Sequence, residues 1–311
     1  GVHSVTLYVN SVQVFNSTTD KVLPDENRMI NGFTDYEELT RTRRLIMRSY
    51  KLPGNRLRLL HPNENRGAVT IDEERDYHFR YVLEDNFGNR RTYQFIVKGK
   101  RQDIPEYKPE ANEMLYWNRT NVIQKPGMEL VVPRYYVYED VPLRTDMRGD
   151  SSHIAFDYIL DAGRTPIHSY CDLSIGLRHM PVADTTKYYI VQKAGKWRSS
   201  MGGKYANGWI KTRVRSLGTF SVDVDTIAPQ ITPIGQGGWR TSRNIRFRIK
   251  DMESGIGSYK VYIDGKFVLF GLKKGILVIQ DPEKVKKGVS HKLEVTVTDQ
   301  CGNMTRKEYK F

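Results

Sequence analysis

Residues 85–95 read DNFGNRRTYQF, and residues 299–311 read DQCGNMTRKEYKF, nearly the same ending written twice. In each copy a run with apolar residues at alternate positions enters Asp-x-x-Gly-Asn, and a second such run leaves it. Tyr77, Phe79, Tyr81 and Leu83 lead into the first, and His291, Leu293, Val295 and Val297 into the second. A period of two is the pattern of a half-buried strand. The turn agrees, because Asp85 and Asp299 can accept from turn N–H groups while Gly88, Asn89, Gly302 and Asn303 tolerate positive φ. Both copies are therefore predicted β-hairpins. Upstream, GVHSVTLYVN at 1–10 matches GIGSYKVYID at 255–264, an offset of 254 against 214 for the hairpins. The first copy thus carries 254 − 214 = 40 more residues between its shared strands, within about 16–75. Two β-sandwich domains of one kind, one near each end, follow from the repeat.

A chain of 311 residues is long enough for two or three domains. Hydrophobic residues at 39% suffice for packed cores, and 19 Tyr and 11 Phe among common β-branched residues favour strands. The expected class is mainly β, with three tandem immunoglobulin-like β-sandwich domains at 1–100, 110–228 and 229–311. Residues 98–120 are polar and contain proline, as suits a linker. In 225–231, Pro229 stands between two strand-like runs, which suits an extended connector. The extra segment of the first domain predicts a helix of roughly three turns. Thr34 would be its N-cap and Glu37 the N3 residue of a capping box, with Tyr36, Leu39 and Ile46 inward and the turn Leu52-Pro53-Gly54-Asn55 beyond. Arg41, Arg43, Arg44 and Arg48 give this insertion a basic surface, a candidate contact with another domain or a partner.

The net charge of +13 favours anionic partners such as an envelope polymer, a membrane surface or nucleic acid. Nucleic acid is disfavoured, since no helix-turn-helix or aromatic reading motif accompanies the charge. Cys171 and Cys301 are far apart and lack C-x-x-C spacing, which argues against a disulfide scaffold or a cysteine zinc site. No apolar run reaches the ~18 residues of a membrane span. The chain enters a strand-like run almost at once, with no initiator Met or signal peptide, and reads as a piece of something larger. The loop at 199–204 lacks the first glycine and the Ser/Thr of a phosphate-binding loop and is read as a turn between strands. Beside it, Trp197, Tyr205 and Trp209 alternate with Lys196, Arg198 and Lys204, a candidate contact for glycan or polyanion; packing of the same rings inside the sandwich is the competing explanation. His168 and Cys171 are three apart, on opposite faces of a strand, so Cys171 is read as a buried thiol rather than a nucleophile.

Several ordered motifs also resemble a known family: GVHSVTLYVN at 1–10, RSYKLPGNRL at 48–57, VLEDNFGN at 82–89, KPGMELVVP at 125–133, SYCDLSIGLRHMP at 169–181 and KWRSSMGGKYANGWIKTRVRSLGTFSVDVDTIAPQI at 196–231. Together they are similar to the non-catalytic region that follows the catalytic domain in bacterial lysostaphin-type zinc metallopeptidases, which are peptidoglycan endopeptidases. The resemblance implies an accessory region that targets, positions or regulates an upstream peptidase domain of the same polypeptide. It also implies a bacterial envelope location, periplasmic or secreted, and a zinc ion in that upstream domain. In that family an H-x-x-x-D motif and a later H-x-H hold the zinc. Here His153 and Asp157 have the first spacing, but no two of the seven histidines have the second. Four positions along a strand separate two residues by about 13 Å. No cofactor, metal or catalytic residue is therefore assigned to this chain. The alternative function is an independent surface module for envelope glycan or a protein partner, and a hydrolase with an unrecognised site is the third class.

Overall fold

The computed structural model describes residues 1–106, 108, 110–161 and 163–311. Their strands form five antiparallel sheets, and the chain is mainly β with several β-sandwich layers. The first sheet runs in the order Leu60–Pro62, Val12–Thr18, Val2–Val9, Asp76–Asp85, Arg90–Lys98. The last sheet repeats its centre as Lys266–Phe267, Ile256–Ile263, Lys292–Asp299, Met304–Lys310. The repeat extends to the register. Val2 faces Asp85 and Ser4 faces Glu84, with a bulge between them; Ile256 faces Asp299 and Ser258 faces Thr298, with the same bulge. The turns match too. Asp85 accepts from the backbone N–H of Phe87 and Asn89 and from the Asn89 amide; Asp299 accepts from Cys301, Asn303 and the Asn303 amide.

Facing the last sheet is a second one, Gln230–Ile234, Arg246–Lys250, Ile276–Ile279, Phe270–Lys273. Leu293, Val295 and Val297 are fully buried between the two, each contributing on the order of 1.5–3 kcal/mol. Trp239, on a one-turn helix, fills the centre and donates its indole N–H to the Ile234 carbonyl at 2.9 Å. Between the two repeats, Trp197–Ser200, Tyr188–Ala194, Gly218–Val224, Asp157–Asp161, Val141–Arg148 and Glu113–Leu115 form a six-stranded sheet. It packs on a five-stranded one, Lys204–Ala206, Trp209–Val214, Cys171–Gly176, Met128–Val132, Asn121–Lys125.

In the first unit the layer opposite the sheet is the insertion: Met29, Phe33, Leu52 and Leu57 cluster with Leu7, Val9, Phe15 and Tyr77. The helix differs from the sequence expectation. It spans Tyr36–Thr42, seven residues, and Asp35 rather than Thr34 caps it, accepting from the Glu38 N–H at 3.0 Å. Thr34 is buried, its hydroxyl turned to the Asn31 carbonyl. Arg43 takes a left-handed conformation at φ +66° and ends the helix after two turns, so Ile46 lies on extended chain and is exposed. The anchors of the insertion are Met29 and Phe33, on the short turn before the helix, instead of Ile46.

Candidate functional site

Three places bring functional side chains together. The first is the edge of the middle sandwich. Gly195, at φ +59°, and Lys196 form a two-residue loop between Ala194 and Trp197, which puts Lys196 at a hairpin tip and leaves Trp197 81% exposed. The chain then crosses at 201–203 to the other sheet, where Gly203 lies so close to Ile210 that a Cβ would meet its methyl at 2.5 Å. Lys204 and Tyr205 are exposed on the edge of that second sheet. Trp209 is half-buried over Gly176, its cross-strand partner. The residues grouped by sequence are thus divided between two sheet edges, Lys196, Trp197 and Arg198 on one and Lys204, Tyr205 and Trp209 on the other. Arg198 is ion-paired with Asp223. The arginines of the insertion divide as well. Arg41 pairs with Glu38 on the helix, Arg48 is half-buried against the Gly32 carbonyl and the Tyr50 ring, and Arg43 and Arg44 are exposed.

The second place is the seam between the insertion and the middle unit, which sequence reasoning missed. Tyr138 belongs to the middle unit by sequence, yet its ring is buried in the core of the first. Its hydroxyl donates to the Arg28 carbonyl at 2.8 Å and lies 3.0 Å from His168 Nδ1. With the hydroxyl proton spent on Arg28, Nδ1 of His168 must be the protonated nitrogen. Arg28 in turn donates to the Ile167 carbonyl, and the Gly54 N–H donates to the Tyr138 carbonyl at 2.7 Å. Burial lowers the His168 pKa, and the Arg56 and Arg28 charges add to it; burial raises that of the Tyr138 hydroxyl. The seam is a hydrogen-bonded plug in which a neutral His168 and Tyr138 lie beside the Arg28 guanidinium.

The third place joins the middle unit to the last. Asp225, fully buried, accepts from the Ser254 N–H and hydroxyl and from the Ile227 N–H, while the Asn303 amide donates to its carbonyl. Asp251 accepts from the N–H groups of Glu253 and Gly255. Asp225, Asp251 and Asp299 each bring one carboxylate oxygen within 4.8 Å of the other two. Oxygen donors so spaced are of the kind a hard divalent cation takes, although such a site needs six to eight of them and most of these oxygens already accept N–H bonds. Burial raises the Asp299 pKa, opposed by its Asn303 bonds, and the Asp225 and Asp251 charges raise it further. Lys187 crosses the same junction to the Cys301 carbonyl at 3.0 Å, and Cys301 packs with Tyr189 and Val191. The signal in the sequence was Asp225 before Pro229 together with the Asp-x-x-Gly-Asn turn; nothing local to Asp251 ties it to them.

The remaining sequence candidates are dispersed. His153 pairs with Asp150, and Asp157 with Lys193, so they do not form a ligand pair. Cys171 is buried and its thiol is pushed up to about 12, mainly by burial, while His168 faces Tyr138.

An array of antiparallel β-layers joined by packed seams is the class of protein that this geometry defines. Within it, residues 112–225 match the model of the Zu5-like domain family, which covers the middle unit and less than half of the chain. No curated protein matches. Among solved structures, the chain is similar to a Ca2+-stabilized adhesin with which an Antarctic bacterium binds ice, at 10% identity over 99% of this chain and 89% of that one, with a TM-score of 0.19. A 1.5-MDa bacterial ice-binding adhesin follows at 10% identity over 100% and 85%, TM-score 0.18. A Bacteroides ovatus protein of a mixed-linkage glucan utilization locus, bound to a heptasaccharide, follows at 12% identity over 99% and 59%, TM-score 0.17. At such TM-scores these likenesses carry no argument.

Proposed function

We propose that this chain is a non-catalytic surface module of a bacterial cell envelope, which binds envelope glycan or another anionic envelope polymer. The observation that carries the reading is Trp197. An indole 81% exposed at a hairpin edge, beside the exposed Lys196 at the tip, serves no core. A flat π face next to an ammonium suits a sugar ring that carries carboxylates. The surplus of cations, +13 over the chain, supports retention near a polyanion and should weaken as salt shortens the Debye length. No catalytic step and no cofactor belong to this reading.

Co-sedimentation with peptidoglycan sacculi at low and high salt tests it. Salt-sensitive pelleting, reduced severalfold in Trp197→Ala/Lys196→Ala, is the expected result. Arg198 is left out of the variant because Asp223 already holds it. No pelleting at any salt, or pelleting untouched by the double substitution, overturns the assignment. A second reading rests on the ordered motifs from GVHSVTLYVN to DTIAPQI: an accessory region that positions an upstream lysostaphin-type zinc peptidase domain. Under that reading, the separately expressed peptidase domain would change its rate on peptidoglycan when this chain is added, even without pelleting.

A further inference from the structure

The positive charge of the chain is gathered in its last unit. Residues 229–311 hold 16 basic and 8 acidic residues, a net +8 of the whole chain's +13. The two sheets of this unit carry that charge differently. On the outer face of the sheet that contains Lys292–Asp299 and Met304–Lys310, cations and carboxylates cancel: Lys292 is ion-paired with Glu308 at 3.0 Å, and Arg306 with Glu294.

The outer face of the other sheet has no carboxylate. In Arg246–Lys250 the order RFRIK alternates, so Phe247 and Ile249 enter the core while Arg246, Arg248 and Lys250 point outward. The register extends this face across the neighbouring strands. Arg248 lies beside Thr232 on one side and Ile276 on the other, and Ile276 lies beside Lys273. Gln230, Ile234, Gly271 and Val278 complete the outward positions. Among the described residues, none of the four cations has a hydrogen bond, an ion pair or a ring contact. Outward residues of one strand recur about every 6.7 Å, and two strand spacings place Lys273 about 10 Å from Arg248. Like charges so spaced repel one another, and the face gains by taking anions.

We propose that this sheet face binds a polyol phosphodiester chain, a linear polyanion laid along Arg246–Lys250 with successive phosphates on Arg246, Arg248 and Lys250 and with Lys273 at its flank. Guanidinium groups hold phosphate oxygens in pairs. Three carbons between phosphates make a repeat of six bonds, about 7 Å when extended, which matches the interval between outward side chains. Between the cations the surface is aliphatic, formed by the half-buried Ile234, Ile276 and Val278, and it offers no ring on which a base or a sugar could stack. An acyclic backbone therefore fits it better than nucleic acid or polysaccharide. The site does not rest on the glycan reading, since Trp197 lies on another unit.

Fluorescence anisotropy with the full chain and an end-labelled synthetic glycerol phosphate oligomer tests it. Arg248→Gln/Lys250→Gln/Lys273→Gln should weaken binding roughly tenfold or more at low salt and reduce the slope of log K against log salt by about 2. Arg246 is spared because its Nε is buried without an acceptor. Lys260→Gln/Lys292→Gln/Arg306→Gln removes the same charge from the other sheet and should change the affinity little. In the unaltered chain, the oligomer should protect Lys250 and Lys273 from acetylation by acetic anhydride and leave Lys260 and Lys292 reactive. Equal weakening by the two triple variants, or equal protection of the four lysines, overturns the proposal, because attraction would then follow net charge rather than this face. Absence of binding at low salt overturns it too. So does tighter binding of oligothymidylate or polygalacturonate of the same charge, which would give the face to a nucleic acid or a polysaccharide. The oligomer carries no sugar ring, so its result is read apart from that of the sacculi.

Discussion

Two histidines with opposite surroundings make stability depend on pH in opposite senses. Burial and the Arg56 and Arg28 charges hold His168 neutral in the fold, so its contribution is present above the ordinary histidine value of about 6.5 and is lost as pH falls from there through the lowered value. For His291 burial opposes the charged ring, but the Asp264 carboxylate at 2.6 Å and the Lys286 carbonyl at 2.8 Å, one on each ring nitrogen, raise the pKa overall. Its contribution is present below about 6.5 and is lost as pH rises through the raised value. Thermal unfolding from pH 5 to 8.5 should show both flanks. Asp264→Asn should flatten the alkaline flank alone, and His168→Gln the acid flank alone. Glycine matters in one further place. A Cβ on Gly32 would meet the Tyr138 ring at 2.7 Å, so Gly32→Ala should cost about 1–3 kcal/mol in urea unfolding.

Among the elements, the insertion and the connector carry the sharpest expectations. Phe33 is buried and Ile46 exposed. Phe33→Ala should therefore cost about 3–5 kcal/mol, while Ile46→Ala should stay within about 0.5 kcal/mol of the parent; chemical denaturation of the two variants compares them directly. The connector at 226–229 is held by Asp225, which satisfies the buried Ser254 N–H and hydroxyl. Asp225→Ala strands both donors, at about 1–3 kcal/mol each. Limited proteolysis should then cut within 226–229 faster than it does in the parent. The hairpins needed no such tertiary help to be recognised. Alternation and Asp-x-x-Gly-Asn specified both, because strand period and turn chemistry are local properties. The start of the helix differs from the sequence expectation by one residue because Thr34 and Asp35 are both competent caps, and the buried setting of Thr34 decides between them.

At the scale of the molecule, Tyr138 couples the first two units by placing a ring of one in the core of the other. Tyr138→Ala should cost about 3–5 kcal/mol and, in calorimetry, should split the first unit's transition from that of the middle unit. Tyr138→Phe should keep them joined at a cost of about 1–3 kcal/mol, since only the Arg28 carbonyl and His168 lose a partner. The candidate contact surface was partly legible. Lys196 and Trp197 do stand out in solvent, but the sheet-to-sheet crossing at 201–203 carries Lys204 and Tyr205 to a different edge.

By itself the sequence determined the β class, the doubled hairpin and the presence of an insertion, since each is written in periods of two and in turn residues a few positions apart. Only the tertiary structure decided which layer each residue closes. Tyr138 sits in the core of a unit to which it does not belong by sequence, Asp251 meets Asp225 and Asp299 at a junction, and one repeat buries Leu293, Val295 and Val297 fully while the other leaves Phe79, Tyr81 and Leu83 half-buried. These outcomes depend on contacts between segments tens to hundreds of residues apart, and no local pattern in the chain encodes them.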